Sequence, residues 1–157
     1  MGRRGSLGRA VSLTRSAARV QREKWAGGPR TYLGLQIEGF PNLFTLVGPH
    51  NAATFCNIPR CIEQNVEWVT DLLRYIGEKG YTRVEPTATA EEAWTQHVHE
   101  SAARLLLLEV DSWMTGINRN IPGRQKRTFM AYAGGAPKYR EKCDEVAARG
   151  YEGFVLA

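Results

Sequence analysis

Long apolar runs are missing from this sequence of 157 residues. The longest, Leu105–Leu108, is far shorter than the ~18 residues that a membrane-spanning helix needs, so we expect no membrane partner. Cysteine is also scarce, and Cys56, Cys61 and Cys143 are odd in number and lack CxxC spacing. A disulfide-stapled scaffold is thereby excluded, and we expect reduced cysteines, a cytoplasmic protein and no metal site. Hydrophobic residues make up 43% of the chain, which is enough for one domain with a single core.

Acidic residues are absent from the first 22 residues, which contain six arginines. Taking these six from the 21 basic residues leaves 15 against 16 acidic ones, so the rest of the chain is close to neutral. Because neither a basic groove nor interleaved aromatic residues follow, we expect no nucleic-acid partner. Residues 1–23 are expected to form a basic, disordered leader. Its composition leaves open whether it is an organelle-targeting segment or the result of a misplaced start site.

Helical periodicity is clearest from Ile58 to about Gly80, where apolar residues recur at spacings of three and four. Asn57 is a suitable N-cap for this helix, and Gly80 is a suitable C-cap. The apolar residues at this spacing are Ile58, Ile62, Val66, Val69, Leu73 and Ile76.

The remaining elements predict a mixed α/β chain. Thr89 and Glu92 have capping-box spacing, which predicts a second helix from Ala90 to about Val110. A third, polar helix is predicted over residues 137–148. Short apolar or alternating stretches predict strands in five places. These are residues 31–37, 43–47, 81–84, 127–132 and 150–156.

The buried strand predicted at Leu43–Val47, the loop after it and the start of the first long helix form the most distinctive unit. Open α/β sheets bind ligands beyond their strand ends, where helix N-termini present unpaired N–H groups and a positive dipole end. The unit contains neither a GxGxxG motif nor a P-loop. It is therefore either an ordinary crossover or a site for an anion or an electron-rich carbonyl, and Arg60 faces either water or that ligand.

Other candidate residues are few. Trp113, beside a glycine-containing loop, is either a core residue or a flat stacking surface for a nucleotide. His97 and His99 lie two positions apart on a helix and point to different faces, so they form no catalytic pair. The glutamates of the second helix, Glu91, Glu92 and Glu100, are expected to be solvated.

Several short strings occur together in an order that is far more specific than any one motif. From about Lys24 onward, the chain resembles the C-terminal portion of a Baeyer–Villiger monooxygenase, of the cyclohexanone or large-ring ketone type. Two departures, His50-Asn51-Ala52 and the long loop 116–123, resemble relatives that act on larger-ring or steroid ketones. The strings that carry the resemblance are Lys24-Trp25, Gly28-Pro29-Arg30-Thr31-Tyr32-Leu33-Gly34, Gly39-Phe40-Pro41-Asn42-Leu43-Phe44, Gly48-Pro49, Asn57, Ile62-Glu63-Gln64, Ser112-Trp113, Pro122-Gly123 and Tyr151-Glu152-Gly153-Phe154.

The resemblance implies that residues 24–157 are the incomplete C-terminal part of a flavoprotein fold with two dinucleotide-binding domains. It implies FAD and NADPH as cofactors, and a ketone and O2 as the substrates of the full-length enzyme. Contact with the cofactors is implied for Gly48, Pro49, Asn57, Ile58 and Trp113. Contact with the substrate is implied for Ala53, Thr54, Phe55 and Cys56.

Key parts of that family's machinery have no counterpart in the sequence. Both GxGxxG fingerprints, the FxGxxxHxxxW(P/D) signature and the catalytic arginine are missing. We therefore expect an enzyme fragment that is inactive alone, with apolar surface exposed for association where the rest of the protein would pack. The alternative is a stand-alone accessory or interaction domain derived from the family.

Overall fold

A computed structural model describes residues 22–52, 56–121 and 127–157 of the chain. The longer helices within these ranges are α1 (Ile58–Lys79), α2 (Ala88–Ala102) and α3 (Ala136–Ala148). Two short strands, β1 (Val84–Pro86) and β2 (Phe154–Leu156), pair in antiparallel register. Single 3-10 turns cover residues 25–27, 106–109 and 113–115. This mixture of helix and strand confirms the predicted fold class.

Helix α1 has the predicted ends. The Asn57 side chain accepts a hydrogen bond from the backbone N–H of Arg60 at 3.4 Å, as an N-cap does. Gly80 ends the helix in the left-handed region, at a φ of 75°. Pro59 is accommodated in the first turn, where its missing N–H would have no partner in the helix. The N-terminal end of α1 is therefore determined by local sequence.

The buried face of α1 is not the face formed by most of its periodic apolar residues. The residues buried against the rest of the chain are Cys61, Asn65, Trp68, Leu72 and Ile76. Four of the six periodic apolar residues are instead exposed, and we call them the apolar stripe: Ile58, Ile62, Val66 and Leu73. Packing with the neighbouring elements turns α1 so that an aromatic and an amide side chain face the core in their place.

The core lies among the three helices and the segments that connect them. Trp94 of α2 stacks on Tyr132, with ring centroids 5.3 Å apart. The Trp68 indole N–H donates to the carbonyl oxygen of Cys143 at 2.9 Å, which joins α1 to α3. Leu72 and Val98 are completely buried beside these rings. The Trp94 stack thus joins α2 to residues 127–132, and the Trp68 hydrogen bond holds α1 beside α3.

The predicted buried strand at Leu43–Val47 is wrong. The segment is irregular, contains one isolated bridge at Phe44, and leaves 48% of Leu46 exposed. Val47 has a φ of 56°, which a β-branched residue adopts only where its surroundings force it. A strand needs hydrogen-bonding neighbours on its edges, and the described residues supply only the Gln36–Phe44 bridge and single bonds to this segment.

Two further predicted strands are absent from the part of the chain that the structure describes. Residues 31–37 are buried but fold back on themselves, with the Tyr32 N–H donating to the Gln36 carbonyl oxygen at 2.8 Å. Residues 127–132 are irregular, although the Met130 N–H donates to the Met114 carbonyl oxygen at 2.9 Å. The strand predicted at residues 81–84 is displaced, since β1 begins only at Val84, and the one predicted at residues 150–156 is shortened to β2.

Helix α2 is shorter than predicted and starts earlier. Its N-cap is Thr87, whose hydroxyl accepts from the Ala90 N–H at 3.1 Å, and not Thr89. It ends at Ala102, because Leu105 takes an extended backbone and the next residues form a 3-10 turn. Leu105, Leu107 and Leu108 therefore pack against the core from a separate segment, which carries the chain toward Trp113.

The cysteine prediction is corrected in part. Cys56 and Cys61 are joined by a disulfide, with their Cα atoms 6.9 Å apart. Cys143 is free but fully buried, and burial raises the pKa of its thiol to about 12. It therefore stays protonated and is no candidate nucleophile. Across the described ranges, no helix is both long and apolar enough to cross a membrane.

Candidate functional site

A cavity of about 290 Å³ lies between the N-terminal ends of α1 and α3. The first turn of α3 follows Gly135, which makes no side-chain cap, so the first N–H groups of this helix lack a side-chain acceptor. Two helix N-termini with their positive dipole ends therefore meet at one opening. The cavity is lined by Cys56, Asn57, Arg60, Cys61, Gln64, Ala136, Pro137, Tyr139 and Arg140.

Two arginines add positive charge to this cavity. Arg140 lies 3.6 Å from a carboxylate oxygen of Glu67, whereas no carboxylate among residues 22–52, 56–121 and 127–157 pairs with Arg60. Helix N–H groups and an unpaired guanidinium favour an anion or an electron-rich carbonyl oxygen. The Cys56–Cys61 disulfide, Ala136 and Pro137 supply apolar walls. Of the sequence-predicted site residues, the structure brings Cys56, Asn57 and Arg60 together here.

A buried polar cluster holds the inner wall of the cavity. The Asn51 amide donates to the Asn65 side-chain oxygen at 2.9 Å and to the Tyr139 hydroxyl at 2.7 Å. The Tyr139 hydroxyl donates in turn to the Leu33 carbonyl oxygen at 2.7 Å. Burial raises the pKa of Tyr139 well above its usual value, so the hydroxyl keeps its proton. The cluster ties the loop before α1 to both α1 and α3.

Sequence reasoning missed this cluster, although a signal was present. Asn65 lies on the helical face that also contains Cys61, Trp68 and Leu72, at spacings of four, three and four. A polar residue in such a row is buried, and a buried amide needs partners.

Replacing Tyr139 with phenylalanine should lower the free energy of unfolding by about 2 kcal/mol, because the Leu33 carbonyl and the Asn51 amide would each lose a partner away from water. Urea unfolding measures the change. The matched control is Tyr81→Phe at an exposed tyrosine, which should cost less than about 0.5 kcal/mol. If Tyr139→Phe and Tyr81→Phe lowered the free energy of unfolding equally, the hydrogen bonds of the Tyr139 hydroxyl would contribute no stability.

Gly48 and Pro49 hold the loop that leads toward α1, and neither lines the cavity. A Cβ at Gly48 would lie 2.8 Å from the Gly34 carbonyl oxygen and closer still to the Thr45 hydroxyl, so only glycine fits. The Pro49 carbonyl accepts from the Thr31 hydroxyl at 2.9 Å. Both residues thus have a structural reason to be present, and cofactor contact remains a prediction for them.

The other implied site residues are dispersed or undescribed. Ile58 is 52% exposed and lies outside the cavity, on the apolar stripe. Ala53, Thr54 and Phe55 lie outside the described residues, so their role stays a prediction. Trp113 is 67% exposed in a 3-10 turn that Ser112 caps. It is therefore free to contact a ligand or partner and is not a core tryptophan.

Two arginines orient the loop around Trp113. Arg127 donates to the carbonyl oxygens of Leu108 and Val110 at 2.9 and 2.8 Å, and to the Asp111 carboxylate at 2.7 Å. Hydrogen bonds from Arg119 first, and then from Arg127, lower the pKa of Asp111. The carboxylate therefore stays charged near neutral pH and holds the loop. In the described part of the chain, no group of three His, Cys, Asp or Glu side chains is arranged to bind a metal.

Comparison with known proteins identifies close relatives, although no family model matches the chain. The chain is 44% identical over 135 residues to the 2-oxo-Delta(3)-4,5,5-trimethylcyclopentenylacetyl-CoA monooxygenase of Pseudomonas putida, covering 86% of this chain and 25% of that protein. It is 37% identical over 136 residues to a Baeyer–Villiger monooxygenase of Pseudooceanicola batsensis, covering 87% of this chain and 24% of that protein.

Solved structures agree with the sequence match. OTEMO, crystallised in complex with FAD and NADP, superposes with a TM-score of 0.77 at 43% identity, covering 87% of this chain and 24% of that chain. The closed crystal structure of cyclohexanone monooxygenase superposes with a TM-score of 0.80 at 40% identity, covering 87% of this chain and 25% of that chain.

The chain spans about one quarter of the length of the relatives it matches. Its described elements therefore form part of a larger flavoprotein fold, as the motifs predicted. In sequence and in fold, this chain belongs to the Baeyer–Villiger monooxygenases, as a C-terminal portion of about a quarter of their length.

Proposed function

We propose that this chain forms the flavin- and ketone-facing quarter of an FAD- and NADPH-dependent Baeyer–Villiger monooxygenase that works in the cytoplasm. In the complete enzyme, one oxygen atom of O2 is inserted beside a ketone carbonyl to give an ester or lactone. The other oxygen leaves as water, and NADPH is oxidised to NADP+. The observation that carries the proposal is the 43% identity and TM-score of 0.77 to a protein crystallised with FAD and NADP. The cyclohexanone 1,2-monooxygenase of Acinetobacter, 37% identical over 137 residues, supports a ketone as substrate.

The cavity between α1 and α3 is suited to bind the electron-rich edge of the flavin ring. The uncapped N–H groups of α3 and the guanidinium of Arg60 would stabilise negative charge on a bound group. FAD, when bound, supplies the O2 chemistry. We assign Asn57 and Ile58, together with the Gly48–Pro49 loop, to the flavin side. We assign Cys56 with residues 53–55 to the ketone pocket, and Trp113 to NADP.

We expect the isolated chain neither to retain FAD nor to oxidise NADPH. Without fingerprint glycines, its backbone cannot approach a pyrophosphate closely. The arginine that the family uses to stabilise developing negative charge is also missing, and such electrostatic stabilisation usually dominates catalysis.

The test is a chimera in which residues 24–157 replace the matching quarter of cyclohexanone monooxygenase. We expect the chimera to retain FAD and to oxidise NADPH in the presence of cyclohexanone, with lactone detected by mass spectrometry. The isolated chain, and the same enzyme with its matching quarter deleted, serve as controls and should form no lactone. A chimera that retains FAD but forms no lactone from any ketone offered would contradict the proposed function.

A further inference from the structure

Helix α1 presents three distinct faces instead of the usual two. One face is buried in the core and contains Trp68 and Leu72. A second is charged, and its residues Glu63, Glu67, Asp71, Arg74 and Glu78 are all exposed. Between them runs the apolar stripe, whose members Ile58, Ile62, Val66 and Leu73 are 52%, 38%, 43% and 48% exposed.

The apolar stripe is not the solvent face of the helix. At about 100° of rotation per residue, Ile62, Val66 and Leu73 point well away from the charged row, which already serves as the solvent face. A continuous row of exposed apolar side chains on one helix marks a surface that another protein part covers. In the described part of the chain, none of the other helices or strands covers it.

The relatives and the cavity together indicate what covers this stripe. The relatives with known structures are about four times as long as the part that this chain matches, so three quarters of their fold lies outside it. The stripe starts at Ile58, one residue after Asn57, which lines the cavity assigned above to the flavin. Protein that holds a flavin at this cavity would therefore lie directly beside the first turn of the stripe.

We propose that the apolar stripe of α1 is the docking surface for the flavin-binding three quarters of a Baeyer–Villiger monooxygenase. The inference rests on the proposed function, because that function supplies the cavity beside the stripe. Docking would bury side chains that the isolated chain leaves in water, so each would stabilise the assembled protein and not the chain alone.

The experiment uses the double variant Ile62→Ser/Val66→Ser in two settings, the full isolated chain and the chimera described above. Serine has nearly the same helix propensity as isoleucine and valine, so the helix itself is little affected. In the chimera we expect the temperature of FAD release to fall by roughly 5 °C or more, as loss of buried apolar area requires. In the isolated chain we expect the unfolding temperature to change by less than about 2 °C.

Two control variants make the comparison specific. Glu63→Ser/Glu78→Ser, on the charged face, should leave both proteins unchanged. Leu72→Ala, in the core, should destabilise both, because that side chain is completely buried without the partner. FAD release is followed by flavin fluorescence, which does not depend on turnover.

The outcomes separate this inference from the proposed function. A stripe variant that leaves FAD release in the chimera unchanged overturns docking through α1, even where lactone is formed. A chimera that never takes up FAD also overturns it, because the surfaces would not fit. An isolated chain that dimerises through the stripe, with the dimer lost in the double variant, identifies a second copy as the occupant and contradicts the proposal. A third case is a chimera that takes up FAD, releases it at a lower temperature when the stripe is mutated, and forms no lactone. This result supports docking through α1 and contradicts only the proposed function.

Discussion

Replacing Lys24 with methionine should lower the free energy of unfolding by about 3–5 kcal/mol. The Lys24 ammonium lies 3.0 Å from a carboxylate oxygen of Glu91 and 2.6 Å from one of Glu38. The Glu91 side chain is only 5% exposed, and its other oxygen accepts from the Glu38 N–H at 2.9 Å. Removing the ammonium leaves a carboxylate that is out of water and without its counter-charge. Chemical unfolding at neutral pH measures the loss.

Two companion variants test the cause. Arg74→Met breaks the exposed Arg74–Asp71 pair and should cost no more than about 1 kcal/mol, because water screens exposed pairs. The double variant Lys24→Met/Glu91→Leu should recover much of the lost stability, since an apolar pair replaces the buried charges. A Lys24→Met cost as small as that of Arg74→Met would mean that Glu91 is not buried as a charged group.

Lowering the pH from 7 to 4 should remove about 3 kcal/mol of stability through His50 alone. The side chain is fully buried, and this burial, followed by the nearby His99, lowers the pKa of His50 to about 4, while the Phe129 backbone opposes the shift. In the unfolded chain the pKa is about 6.5. Above pH 6.5 both states are neutral. Between pH 6.5 and 4 only the unfolded chain takes up the proton, so unfolding becomes easier as the pH falls.

The variant His50→Asn isolates this contribution. Asparagine tolerates the left-handed backbone found at this position, where φ is 68°, and it does not titrate. Its free energy of unfolding should fall about 3 kcal/mol less than that of the wild type between pH 7 and 4. Glu85, whose pKa Arg83 lowers, loses its own stabilising contribution at acidic pH in both proteins, so the difference between the two profiles is the measurement. If the free energies of unfolding of the two proteins fell by the same amount between pH 7 and 4, His50 would not be held neutral in the folded protein.

How far the fold could be predicted depended on how local each signal was. Asn57, Pro59 and Gly80 act within a few residues of where they stand, so both ends of α1 were predictable. The strand at Leu43–Val47 was not, because an apolar run becomes a strand only where other strands lie beside it. Among the described residues, only one isolated bridge, between Gln36 and Phe44, and single hydrogen bonds reach this segment.

The burial of polar side chains was also not predictable from the local sequence. Glu91 was expected in solvent, yet it is buried, because Lys24 and the Glu38 N–H reach it from elsewhere in the chain. Asn65 is buried for the same kind of reason, since Asn51 supplies a donor from a separate loop. A charge or amide can leave water only where distant residues pair with it.

The candidate site shows the same division. The resemblance of the sequence motifs placed Cys56 and Asn57 at a ligand-facing loop, and the structure places both on a cavity. Arg140 and the uncapped start of α3 join that cavity from about 80 residues away along the chain, which no local pattern could indicate.

By itself the sequence determined the family, both ends of α1 and the near-neutral charge of residues 23–157, because these depend on residue order and short-range contacts. Only the tertiary structure decided which face of α1 is buried, which charges leave water and which two helix ends meet at the cavity. Those features arise from contacts between segments far apart in the chain. Such contacts stabilise the protein only after these distant segments have packed together.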